Sequence, residues 1–93
     1  RIEEDHINAK LLATKLREIN EIKIDLSKIH TNIIFFYLQK TNLRDANFIS
    51  ELLNNNIKID SKGNRKFRIA THYGFTSDSI NPVIDTIKSI LNN

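Results

Sequence analysis

The chain has 93 residues, a net charge of +3, 40% hydrophobic and 27% charged content, so residues 1–93 are expected to form a single small globular domain. It has no cysteine, which excludes disulfides and thiolate metal sites, and no apolar run approaches the roughly 18 residues of a membrane span. The charge is too mild to argue for nucleic acid by itself. The chain opens on Arg1 rather than Met, and is expected to be a piece of a longer protein. The missing signal sequence therefore decides nothing.

Glu3 to about Ile19 has helical periodicity, with Ile7, Leu11, Leu12, Leu16 and Ile19 along one face and Ala9 and Ala13 nearby. Glu3, Glu4 and Asp5 suit the positive end of the helix dipole, and Asn20 is the expected stop. Residues 21–28 alternate loosely and read as a short edge strand or an extended connection. Residues 29–38 form the clearest strand, β-branched and aromatic through its middle. Its run from Ile33 to Leu38 has no polar face, which predicts a central strand covered by helices on one side and by another protein layer on the other.

Thr41 or Asn42 is expected to cap a second helix, with Asp45 in its first turn. Ala46, Ile49, Leu52 and Leu53 supply its stripe, with Phe48 at the flank, and the run Asn54, Asn55, Asn56 ends it. Residues 57–60 read as a short strand, joined by a turn at Gly63 and Asn64 to a strand over residues 66–73. Gly74 breaks that strand. Thr76, Ser77 or Ser79 caps a last helix, with Pro82 in its first turn and a stripe of Ile80, Val83, Ile84, Ile87 and Leu91. The predicted order is α-β-α-β-β-α. The fold class is α+β, a small antiparallel sheet of about three strands with three helices packed on it.

The strand over residues 66–73 carries the main functional signal. Phe67, Ile69 and Thr71 point to one face, and Arg68, Ala70 and His72 to the other. The small Ala70 leaves room beside Arg68, whose planar fork suits a carboxylate. The competing reading is a strand arginine that is solvated or paired to an acid. Lys58, Lys62, Arg65, Lys66 and Arg68 gather with Asp60 as the one acid among them, which reads as a solvated hairpin or as an anion contact.

Other chemistry finds no support. His6, His30 and His72 are far apart in sequence without ligand spacing, and His72 reads as structural. Neither of the two glycines lies in a phosphate loop. Ser77 and Ser79 read as helix caps, and the aspartates are scattered. No catalytic, metal or cofactor-binding residue is assigned.

Four segments carry a resemblance. They are EDHINAKLLATKL within residues 3–16, HTNIIFF at residues 30–36, ANFISELLNNNIKI at residues 46–59 and FRIATHYGFTSDSI at residues 67–80. In this order and spacing the chain resembles the C-terminal small domain of threonine aldolases, pyridoxal-phosphate enzymes of the aspartate-aminotransferase-like fold. The resemblance implies cleavage of L-threonine or L-allo-threonine to glycine and acetaldehyde. Arg68 matches the arginine that binds the substrate's α-carboxylate. The lysine that carries the pyridoxal 5'-phosphate, and the rest of the chemical machinery, would lie in a large domain upstream of Arg1, so this segment alone is expected to be inactive. The implied partners are the amino-acid substrate, the chain's own large domain and further copies in a tetramer, in the cytoplasm, with no nucleic acid and no membrane. A related pyridoxal-phosphate lyase or hydroxymethyltransferase is the near alternative. A free-standing basic α+β binding module, with salt-sensitive binding, is the alternative from another class.

Overall fold

Burial alternates along the two middle strands of the sheet, and that alternation organises the molecule. In this computed structural model, which describes residues 2–30, 32–71 and 74–92, Ile34, Phe36 and Leu38 are buried from one strand and Phe67 and Ile69 from the next. Their neighbours Phe35, Tyr37, Lys66 and Arg68 point the other way, as strand geometry requires.

The elements are α1 (Ile2–Arg17), β1 (Ile22–Lys23), a short 3₁₀ turn (Leu26–Lys28), β2 (Ile33–Leu38), α2 (Asp45–Asn54), β3 (Asp60–Gly63), β4 (Lys66–Ala70), a second 3₁₀ turn (Ser77–Ser79) and α3 (Ile80–Leu91). The strands form one antiparallel sheet in the order β1-β2-β4-β3. The α+β class and the sequential order stand. The sheet has four strands rather than about three, because Ile22 and Lys23 pair with Leu38 and Tyr37. Two residues are too few to give a periodic signal, so the looser edge-strand reading of residues 21–28 was right for that pair alone.

Phe36, Phe48 and Phe67 make the centre of the core. The Phe36 and Phe67 rings stack at 5.6 Å, and Phe48 of α2 meets them edge-on at 6.4 and 5.2 Å. These offset and edge arrangements add to what burial alone contributes. The predicted stripe of α3 is buried throughout, with Ile90 beside it. Pro82 lies in the first turn of α3, and the Thr76 N–H donates to Ser79 Oγ at 3.1 Å just ahead of it.

Two helices turn differently from the expectation. In α1 the buried side is Ala9, Leu12, Ala13 and Leu16, while Ile7 and Leu11 are exposed. The small alanines let α1 approach its neighbours closely, and this rotates the larger Ile7 and Leu11 outward. In α2 the buried residues are Phe48 and Leu52, so Phe48 is the centre of the stripe rather than its flank, and Ala46 and Leu53 are exposed.

The expected cap of α2 is also corrected. The residue ahead of the helix is Arg44, which makes no side-chain cap bond. Thr41 Oγ1 instead accepts from the Leu43 N–H at 3.2 Å. The start of α2 is held by Arg65, across the molecule. Arg65 Nη1 donates to Asp45 Oδ1 at 2.8 Å and to the Leu43 carbonyl at 2.6 Å, and Nη2 donates to the Thr41 carbonyl at 2.8 Å. The Arg65 N–H adds a bond to Asp45 Oδ2 at 3.2 Å.

The hairpin is shifted from its predicted bounds. Residues 57–59 lie outside the strand, which starts at Asp60, and Ile59 packs into the core. The turn residues are Asn64 and Arg65, with φ of 55° and 70°, one place later than Gly63 and Asn64. Left-handed geometry at both positions is what a tight hairpin turn requires. Gly63, at φ 82°, occupies the irregularity between Ser61 and Gly63 where the register slips. The last part of the predicted strand, His72 and Tyr73, lies outside the described residues.

Phe67→Ala should lower stability by about 3–5 kcal/mol, read from denaturant midpoints. Arg65→Ala should cost about 2 kcal/mol through its lost charge-assisted bonds. Arg65→Gly should cost about 1 kcal/mol less than Arg65→Ala, since glycine relieves the left-handed backbone.

Candidate functional site

Arg68 sits in the middle of β4, on the sheet face turned away from the helices. Its place is a consequence of register. Phe67 is paired with Phe36 and buried, so Arg68, paired with Phe35 on one side and Asp60 on the other, must emerge on the opposite face. Across β3, Arg68 Nη2 donates to Asp60 Oδ2 at 2.7 Å. The two side chains are 39% and 46% exposed, so the pair is accessible at the surface. Arg68 Nε is buried and has no hydrogen-bond partner.

The pair opens into a cleft of about 510 Å³. Its walls include Arg68, Asp60, Ala70, Gly74, Phe75 and Ser79. Ala70 leaves the space beside the guanidinium that its small side chain predicted. Gly74, at φ 86°, turns the chain from the end of β4 towards the Thr76 cap and so brings Phe75 and Ser79 to the far wall.

A second, smaller cleft of about 300 Å³ lies on the same face of the sheet. Phe35 and Tyr37 are 36% and 42% exposed there. The Lys66 ammonium stands 4.9 Å from the centre of the Phe35 ring and 5.7 Å from that of Tyr37, within cation–π range. Lys23 and Lys28 stand at the rim. Asp25, also at the rim, has its carboxyl held below the ordinary aspartate value of 3.8, chiefly by the hydrogen bond from the Ser27 hydroxyl and then by that from the Ser27 N–H.

The structure therefore divides the basic run between several tasks. Arg65 fastens the hairpin to α2, Lys66 covers two rings, Arg68 faces the cleft with Asp60, and Lys58 and Lys62 are exposed. Neither a uniformly solvated hairpin nor a single anion surface describes this. Arg68 is paired to an acid and open to solvent, which is the competing reading of it. His72, predicted to share its face, lies outside the described residues. Asp60 had drawn notice only as the acid within a basic run. The alternation rule applied across the hairpin would have placed it opposite Arg68.

Chemically, the cleft offers donors to an anion. Among the described residues no group of three potential metal ligands gathers, and no helix is long and apolar enough to cross a membrane.

No family model matches the sequence, and no curated protein matches it. Solved structures do. A NifS-like protein from Rickettsia africae ESF-5 superposes with a TM-score of 0.81 at 14% identity, over 99% of this chain and 29% of that one. MppP, in a structure soaked with the product 2-ketoarginine, gives 0.72 at 10% identity, over 99% of this chain and 28% of that one. This chain shares the fold of the part of each of these two proteins that it matches. It spans less than a third of the length of either protein.

The one lysine on the wall of the larger cleft, Lys58, is exposed rather than enclosed.

Arg68→Ala should change stability by less than about 1 kcal/mol, because the lost pair is solvent-exposed. Denaturant midpoints for this variant beside Phe67→Ala would separate a site residue from its core neighbour.

Proposed function

We propose that the chain is the C-terminal small domain of a pyridoxal-phosphate-dependent threonine aldolase, and that Arg68 binds the α-carboxylate of the amino-acid substrate. The observation that carries this reading is Arg68 itself. It is a guanidinium open to solvent on the wall of a cleft, on a fold shared with part of a NifS-like protein and of MppP. The four sequence segments that resemble threonine aldolases are spread between residues 3 and 80 and supply the choice among such enzymes.

The resemblance supports a division of labour between two domains. Pyridoxal 5'-phosphate would be held by a large domain upstream, and bond cleavage would take place there. Arg68 would fix one end of the substrate through two N–H···O bonds, which restricts how the amino acid turns. A lysine at this position would keep the charge but not the planar fork. The exposed Phe35 and Tyr37 would be covered by the large domain or by a second subunit of a homo-oligomer. This is the second layer that the apolar β2 calls for.

In the full enzyme, Arg68→Ala should raise the KM for threonine about 10- to 100-fold, as expected for lost charge-assisted bonds. Cofactor absorbance should stay near that of the unaltered protein, and Arg68→Lys should fall between the two. Unchanged kinetics would sink the assignment. Acetaldehyde released from threonine by the unaltered enzyme distinguishes an aldolase from a β-eliminating lyase of the same fold, which would release a 2-keto acid and ammonia.

A further inference from the structure

The partner of Arg68 has no role in the reading above. Asp60 is the first residue of β3 and stands directly opposite Arg68 in the hairpin register. Its carboxylate takes Nη2 at 2.7 Å. Both residues line the same cleft, and both are open to solvent. An exposed pair of this kind contributes little to folding. Its effect lies in geometry. An arginine side chain is long and rotamer-rich, and an unheld guanidinium on an open sheet face would sample many positions. Asp60 is short and paired in register with Arg68 on the edge strand β3, so it restrains where the fork lies.

The restraint leaves the fork usable. A guanidinium has five N–H donors. Asp60 Oδ2 takes one at Nη2, and Nε is buried. With Nε buried, the approach left to an incoming carboxylate is the Nη end of this cleft-lining residue. Asp60 thus holds the group by one side and presents the other.

We propose that Asp60 is a positioning residue, which acts through Arg68 to orient its guanidinium for the substrate carboxylate. The proposal rests on the carboxylate reading of Arg68. In the full-length enzyme, with threonine as the probe, Asp60→Asn should raise KM about tenfold, from the rotamer freedom that the guanidinium regains and must give up again on binding. kcat should change by less than about twofold, since a contact that serves binding alike in ground and transition states shows in KM. Asp60→Glu, which keeps the charge on a longer arm, should recover part of the loss. In an Arg68→Ala background, Asp60→Asn should add nothing further to KM, because its effect passes through Arg68.

A raised KM in Arg68→Ala beside an unchanged or lowered KM in both Asp60 variants overturns the positioning role and leaves the carboxylate reading standing. An Asp60→Asn effect that persists undiminished in the Arg68→Ala background overturns it as well. An Arg68→Ala enzyme with an unaltered KM overturns both readings together.

Discussion

The pairing of Phe36 with Phe67 is the constraint on which the rest of the structure depends. These two residues face each other across the central strands, stack at 5.6 Å and are fully buried, with Phe48 of α2 closing over them. Side chains alternate along a strand, so burying Phe67 leaves Arg68 no choice of face. A slip of one residue would drive the guanidinium into the aromatic core and expose Phe67, and both changes are unfavourable. The position of the candidate site is therefore a by-product of core packing. Asp60 inherits its place from the same register through the hairpin.

Arg65 and Arg68 lie three residues apart in one basic run, yet they do opposite things. Arg65 occupies the hairpin turn in a left-handed conformation, and its head is taken up by Asp45 and by the carbonyls of Thr41 and Leu43. It replaces the side-chain cap that α2 lacks and ties the hairpin to that helix. Arg68 lies on regular strand, makes one ion pair and keeps donors open to a cleft. The difference comes from backbone position. The turn aims one arginine across the edge of the molecule, and the pleat aims the other off the face of the sheet.

The face that carries Arg68 also carries Phe35, Tyr37 and Lys66. All three helices lie on the other side. The expectation that β2 is covered on both faces is met within this chain on one face alone. Lys66 screens the two rings in part. The open face is where the proposed large domain or second subunit would sit, and Arg68 would then look across that junction.

The amino-acid sequence by itself determined the α+β class, the order of the main elements, the buried stripe of α3, the core role of Phe67 and the side on which Arg68 emerges. Each rests on local periodicity, which survives in the folded chain because it matches the period of the element. Tertiary structure alone decided the rest. It chose which side of α1 is buried, since close approach through Ala9 and Ala13 outweighed the larger Ile7 and Leu11. It moved Phe48 to the centre of α2, because the Phe36 and Phe67 rings need a third to close them. It replaced the expected cap with Arg65, some twenty residues away. It joined Asp60 to Arg68 through the register of a hairpin whose turn fell one residue later than its glycine suggested. Contacts between distant segments are not periodic, so they leave no mark in a window of sequence, and the site is built from such contacts.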